Sequence, residues 1–187
     1  MMMFEKERFA EDCRIALKET NAQAAITELV TSAVSDPSAV MKALGEPQRA
    51  GVETLYQADD LTILNLCWGP GMVFKPHDHR IWAVIGIYTG CEENTFYRRS
   101  DDGLTKHGVK ELRAKDTAPL GESVIHAVTN PLTQITAAIH VYGGDFFATP
   151  RSEWNPQSYE EQPYDVAATM QAFEASNEGL EAAPTRA

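Results

Sequence analysis

The sequence is poor in cysteine and in basic residues. Its three cysteines, Cys13, Cys67 and Cys91, form no Cys-x-x-Cys pair, and their odd number argues against a disulfide framework. We therefore expect a reducing, cytoplasmic environment. Only 16 lysines and arginines stand against 27 aspartates and glutamates, which gives a formal net charge of -11. Because nucleic-acid binding needs a basic face that neutralises phosphates, we expect no nucleic-acid partner.

Long apolar runs are also absent. No stretch approaches the roughly 18 apolar residues of a membrane-spanning helix, and the segment Met1–Lys6 lacks the apolar core of a signal peptide. We expect a soluble protein with no membrane partner. The 187 residues suffice for a single domain, 1–187, with a sizeable buried core.

The segment 1–45 is predicted to be helical. Apolar residues recur every three to four positions in Phe9–Leu17 and again in Ile26–Ala33, as on one face of a helix. Pro37 is typical of a first helical position, and Gly45 is typical of a helix end. These helices should pack on the outside of a sheet. The alternative is a dimerisation arm, and with it a homodimer.

From residue 52 the pattern changes to short, β-rich runs separated by turn residues. The predicted strands are 52–57, 61–68, 72–77, 81–89, 94–99, 107–113, 123–129, 134–142 and 145–148. Many short strands at close spacing indicate a sandwich or barrel over 52–148. Within 160–187 we expect a short helix from about Asp165, followed by a flexible tail beyond Ser176.

Two histidines lie two residues apart in one of the β-rich runs. Successive side chains of a strand point to opposite faces, so His77 and His79 should point the same way. Neutral imidazole is a ligand for Fe, Zn, Cu or Ni. His126 is the natural third ligand. The alternative is that the pair binds no metal, because His-x-His occurs by chance in many proteins.

The surroundings of this pair resemble the first motif of the cupin family. That motif is a glycine, five residues, His-x-His, three or four residues, a glutamate, six residues and a second glycine. Gly71, His77, His79 and Gly90 stand at these spacings. The glutamate position holds Ala83 instead.

The second cupin motif is found further along the chain. Pro119 and Gly121 match its Pro-x-Gly, and His126 and Asn130 match its His-x-x-x-Asn, with two more residues than usual between the halves. The resemblance implies an all-β core with the cupin double-stranded β-helix, or jelly-roll barrel. N-terminal helices would pack outside it, and a short helix would follow at the C-terminus.

The missing glutamate bears on the chemistry. A metal held by three neutral imidazoles keeps its full charge and has open positions that favour anionic donors. A substrate that brings its own anion, such as a thiolate, therefore suits the site. His140 and Tyr142 share one strand face and would make a proton relay. The alternative is a hydrogen-bonded pair within the core.

From about Leu55 to Phe147 the chain is similar to the cysteine dioxygenase branch of the cupins, the thiol dioxygenases. The match includes the Leu66–Gly69 segment, the three histidines and the His-x-Tyr pair. It implies a mononuclear Fe(II) site that oxidises a small thiol with O₂ to its sulfinic acid. Zn or Ni would also bind such ligands. Metal ligands would be His77, His79 and His126.

The chain departs from this branch at three positions. Ala138 replaces the serine of its Ser-x-His-x-Tyr set, which shortens the relay, and Ala83 replaces the cysteine that animal members link to the tyrosine. Ala58 replaces the arginine that holds the substrate carboxylate. Arg98, Arg80 and Arg151, in that order, are the substitutes we expect for that arginine. Each is alternatively a surface charge, because arginine is mostly exposed.

Three classes of function follow from the sequence. The first is the thiol dioxygenase, with His140 and Tyr142 as catalytic residues. The second is a three-His cupin dioxygenase that cleaves a carbon–carbon bond of a β-dicarbonyl compound, whose enolate would supply the anion. The third is a cupin that holds a metal or a ligand without catalysis. The missing serine and arginine favour this last class.

Overall fold

A computed structural model describes residues 4–101 and 103–182. Three helices precede the strands, and one follows them. The helices are α1 (Lys6–Ala16), α2 (Ala22–Val34), α3 (Pro37–Leu44) and α4 (Val166–Ala182). The strands are β1 (Gly51–Ala58), β2 (Leu61–Trp68), β3 (Val73–Asp78), β4 (Ala83–Thr89), β5 (Cys91–Ser100), β6 (Gly103–Arg113), β7 (Thr117–Leu120), β8 (Ile125–Thr129), β9 (Thr136–Tyr142), β10 (Ser152–Trp154) and β11 (Glu161–Pro163). Within the described residues, no helix is long and apolar enough to cross a membrane.

The strands form two antiparallel sheets that face each other. One has five strands in the order β1-β2-β9-β4-β7, and the other has six in the order β11-β10-β3-β8-β5-β6. Leu64 and Ile85 of the first sheet pack with Phe74 and Val128 of the second, so the core between them is shared. This is the cupin double-stranded β-helix, which confirms the predicted fold class.

The outer face of the five-stranded sheet is covered by the N-terminal helices. Every residue of β2 is buried, because its inward side chains fill the barrel and its outward ones, such as Ile63, contact the helices. Helix α2 lies so close to β4 that a Cβ at Gly86 would come within 2.4 Å of Val30. The expectation that these helices pack outside the barrel is therefore confirmed.

Eight of the nine predicted strands are present, one with the predicted bounds (61–68) and seven with shifted ends. The predicted strand 145–148 is wrong, because the Asp145 carboxylate accepts hydrogen bonds from the backbone N–H groups of Phe147 and Ala148. This contact curls the segment into a turn. Three strands were missed, namely β7, which contains Pro119, and β10 and β11, which have three residues each.

The tail prediction is wrong for residues 177–182, which continue helix α4. Asn177 is buried, and its amide exchanges two hydrogen bonds with the backbone of Ala50, at 2.7 and 3.0 Å. One turn earlier, Phe173 stacks on Trp68 with ring centroids 5.8 Å apart. These contacts hold the helix against the barrel. Residues 183–187 of the predicted tail lie outside the described residues.

Replacing Asn177 by alanine should destabilise the protein by about 2 kcal/mol or more, since a buried polar group left without a partner costs about 1 to 3 kcal/mol. The backbone N–H and C=O of Ala50 would lose their partners. Urea denaturation measures the effect, and Glu178→Ala, at an exposed position of the same helix, is the control. Equal stability of the two variants would contradict an anchoring role for Asn177.

Candidate metal centre

His77 and His126 lie directly opposite each other on the neighbouring strands β3 and β8. An extra residue bulges out of β3 between Phe74 and His77, so both of these side chains face the barrel interior despite their odd spacing. His79 follows the end of β3. The ring centroids of the three histidines are 4.7 to 5.1 Å apart, and one nitrogen of each ring lies within 4.8 Å of the others. The structure therefore brings the three predicted ligands together.

The two glycines of the first motif occupy turns that require glycine. Gly71 has φ 67° and Gly90 has φ 81°, a left-handed region that side chains with a Cβ disfavour. A Cβ on Gly90 would also lie 2.3 Å from the Thr136 hydroxyl oxygen. These turns set the ends of the β3–β4 segment that carries His77 and His79.

Hydrogen bonds determine which nitrogen of two imidazoles is protonated. His77 Nδ1 lies 2.9 Å from the carbonyl oxygen of Lys75, which only accepts, so Nδ1 carries the hydrogen. His126 Nδ1 lies 2.7 Å from Asn94 Oδ1 and donates to it. Both rings therefore present an unprotonated Nε2, the form that binds metal.

The cluster is buried and uncharged. Burial lowers the pKa of His77, and burial together with the neighbouring imidazoles lowers the pKa values of His79 and His126 well below the ordinary range. Neutral imidazoles are thus favoured at neutral pH. Among the described residues, the group of convergent ligand atoms consists of the three histidine nitrogens and includes no carboxylate or thiol. The donor set fits a divalent ion such as Fe(II), Zn or Ni.

His140 and Tyr142 lie on β9 and face the same interior. His140 Nδ1 is 3.0 Å from the Tyr142 hydroxyl, and the Tyr142 ring is 5.2 Å from the His79 ring. Burial raises the pKa of Tyr142, so its phenol keeps its proton. The structure therefore places the predicted pair beside the histidine cluster.

The sequence reasoning missed Glu92 and Asn94, which lie on the interior face of β5. Glu92 is fully buried and accepts hydrogen bonds from Trp68 Nε1 and Asn94 Nδ2, both at 2.9 Å. Burial alone would raise the pKa of Glu92, but His140, Asn94 and Trp68 outweigh it and hold the pKa below its ordinary value. The period-two spacing of Glu92 and Asn94 was the available signal.

Two of the three candidate arginines lie outside the site. Arg98 is exposed and lines a surface groove together with Glu122. Arg80 donates to Ser152 Oγ at 2.7 Å and to Asp78 at 3.3 Å, and both Arg80 and Asp78 line the same groove. Arg98 and Arg80 thus line one surface groove instead of contacting the three histidines, and their expected role as carboxylate binders stays a prediction.

Arg151 is the arginine beside the cluster. Its guanidinium lies 3.9 Å above the Phe146 ring and 4.4 Å above the Tyr164 ring. Phe146 packs 4.3 Å from Tyr142, and Tyr164 packs 5.9 Å from His77. The Arg151 Nε is buried and has no hydrogen-bond partner in the part of the chain that the structure describes. Arg151 therefore offers an unpaired donor next to the site.

The fold and the three-His cluster define a cupin-fold protein with a site suited to a metal ion. No family model matches the sequence. Two of the solved structures similar to this chain are described as double-stranded β-helix proteins. One is an RmlC-like cupin family protein from Methanocaldococcus jannaschii, with 14% identity, 55% of this chain and 87% of that chain covered, and a TM-score of 0.46. Another is an uncharacterised conserved protein from Klebsiella pneumoniae, with 17% identity, 58% and 80% covered, and a TM-score of 0.45.

A third similar structure is KdgF from Halomonas sp., with 17% identity, 50% of this chain and 76% of that chain covered, and a TM-score of 0.41. These similarities are distant. The fold assignment therefore rests on the strand order and pairing of this chain, and the function has to be argued from its own site.

Proposed function

We propose that this protein is a mononuclear iron dioxygenase that oxidises a small thiol carrying a carboxylate to its sulfinic acid. The observation that carries the proposal is the position of Tyr142, which is bonded to His140 and lies against His79. A proton donor held beside three convergent imidazoles can transfer a proton to a molecule that reacts at a metal bound there. The reaction is RSH + O₂ → RSO₂H, in which both oxygen atoms pass to sulfur.

The charge of the ligand set supports a thiol. Fe(II), when bound, supplies open coordination positions for a thiolate and for O₂. Because His77, His79 and His126 are neutral, an anionic donor from the substrate stabilises the site. The Phe96 ring stacks 6.2 Å from His126 and the Phe146 ring lies 6.1 Å from His79, so the surroundings of the cluster are apolar, which suits a small substrate.

Arg151 supports a carboxylate as the second anionic group of the substrate. Its buried Nε lacks a partner among the described residues, and a guanidinium binds a carboxylate with two parallel hydrogen bonds. Contacts with the rings of Phe146 and Tyr164 hold the guanidinium in place. A mercaptocarboxylate such as 3-mercaptopropionate would place its sulfur at the metal and its carboxylate at Arg151.

Oxygen uptake by the Fe(II)-loaded protein tests the proposal. We expect uptake with 3-mercaptopropionate at a lower KM than with cysteine or cysteamine, and no uptake with acetylacetone. Uptake with acetylacetone alone would instead indicate cleavage of a β-dicarbonyl compound. Iron binding without uptake on any of these compounds would leave the non-catalytic cupin as the function.

Arg151→Met should raise the KM for 3-mercaptopropionate about 10-fold or more, because a hydrogen bond to a charged group contributes about 1.5 to 3 kcal/mol. The KM for cysteamine, which has no carboxylate, should not change. Arg98→Met makes the same substitution at an exposed position and is the control. If Arg98→Met raised the KM and Arg151→Met did not, the carboxylate would bind in the surface groove.

A further inference from the structure

Glu92 joins the histidine cluster to the His140–Tyr142 pair. As a carboxylate, Glu92 can only accept hydrogen bonds. Its Oε1 accepts one from Asn94 Nδ2, and its Oε2 accepts one from Trp68 Nε1. Oε2 also lies 3.8 Å from His140 Nε2. A fully buried carboxylate is costly to the fold unless its neighbours compensate it. We propose that Glu92 is a positioning residue that sets which nitrogen is protonated in both His126 and His140.

The first arm runs through Asn94 to His126. A carboxylate only accepts, so Asn94 has to point its Nδ2 at Glu92 and its Oδ1 at His126. Oδ1 only accepts in turn, so His126 Nδ1 has to carry the hydrogen. This leaves His126 Nε2 unprotonated and directed at His79 Nε2, 3.5 Å away. The charge of Glu92 therefore keeps His126 in its metal-binding tautomer.

The second arm runs to His140. The buried His140 Nε2 has no hydrogen-bond partner in the described residues, and the 3.8 Å to Glu92 Oε2 leaves no room for a water molecule between them. A hydrogen on Nε2 would point its positive end at the Glu92 carboxylate, an electrostatic attraction at a distance too long for a hydrogen bond. Ala138, on the same strand face, offers no side-chain acceptor. Glu92 thus supplies from β5 the third member that Ala138 cannot supply from β9.

This inference rests on the metal site and proton-donor pair of the proposed function, but not on the identity of the substrate. It is tested on the metal-free and zinc-loaded protein labelled with ¹⁵N-histidine. The ring nitrogen shifts at neutral pH should show His126 protonated at Nδ1 and His140 protonated at Nε2. Zinc affinity is measured by competition with a chelator. Neither readout requires turnover of a thiol.

In Glu92→Gln, the new amide has one acceptor oxygen for the two donors Trp68 Nε1 and Asn94 Nδ2. Asn94 then no longer has to point its Oδ1 at His126, so the tautomer of His126 is no longer set. Zinc affinity should therefore fall about 10- to 100-fold, as for the loss of a ligand's hydrogen-bond partner. Glu93→Gln makes the same change at the next position of β5 and should bind zinc normally. The double variant E92Q/N94D again gives every donor an acceptor. Trp68 Nε1 donates to the amide oxygen at position 92, the amide nitrogen there donates to the carboxylate at position 94, and that carboxylate accepts from His126 Nδ1. Its zinc affinity should return close to that of the wild type, while His140 stays without its anion and loses the fixed Nε2 proton.

Equal zinc affinity of Glu92→Gln and Glu93→Gln would overturn the proposal. So would failure of E92Q/N94D to recover affinity. If Glu92→Gln does not fold, the wild-type spectra decide, because an unprotonated Nδ1 on His126 or an unprotonated Nε2 on His140 overturns the proposal directly. Absence of thiol oxidation with these spectral and affinity results intact would count only against the proposed function.

Discussion

Replacing His126 by alanine should remove stoichiometric metal binding. His126 is one of three imidazoles that converge within 4.8 Å, and its removal leaves two neutral ligands for a divalent ion. The loss should exceed the roughly 10- to 100-fold fall expected when only a ligand's hydrogen-bond partner is removed. His77→Ala should behave alike, because His77 lies opposite His126 across the β3–β8 pairing. Metal content after dialysis, measured by mass spectrometry of the protein loaded with Fe(II) or Zn, gives the result.

The matched control is His107→Ala. His107 lies exposed on β6, so the same substitution should leave metal content unchanged and shows that alanine replacement alone has no effect. Circular dichroism checks that all variants keep the fold. Full metal occupancy in either His77→Ala or His126→Ala would contradict the assignment of this cluster as the metal site.

Replacing Tyr142 by phenylalanine should cut turnover of the thiol by about 10² to 10⁴, the usual contribution of a positioned proton donor. The change removes the hydroxyl that lies 3.0 Å from His140 Nδ1 and keeps the ring that packs on Phe146. Metal content should therefore stay at the wild-type level. The measurement is the kcat of oxygen uptake at saturating iron and thiol.

Tyr97→Phe is the control for this experiment. Tyr97 packs against Tyr159 on the outer face of the six-stranded sheet, so losing its hydroxyl should not change kcat. An unchanged kcat in Tyr142→Phe would reduce the His140–Tyr142 pair to a hydrogen bond within the core. A loss of metal together with kcat would instead mean that the hydroxyl supports His79, whose ring lies 5.2 Å away.

Local sequence patterns were sufficient to predict the features of this protein that depend only on residues close together in the chain. The alternation of a strand puts His140 and Tyr142 on one face, and the spacing of Gly71 and Gly90 marks two turns with positive φ. The all-β core and the pair His77 and His79 were predicted in this way, and the resemblance to the second cupin motif added His126 as the third expected ligand. The strand 145–148 failed because a side-chain contact of Asp145 overrides β propensity.

Contacts between distant segments decided the rest. Arg151 reaches the site only because β10 pairs with β3, and Glu92 meets His140 only because β5 and β9 belong to facing sheets. The bulge before His77 decides that the histidines face inward. Alternation predicts which side chains share a face but not which face is buried, since that depends on pairing across the barrel. The sequence alone therefore identified the three histidines that converge, and the tertiary structure determined the charged and hydrogen-bonded groups around them.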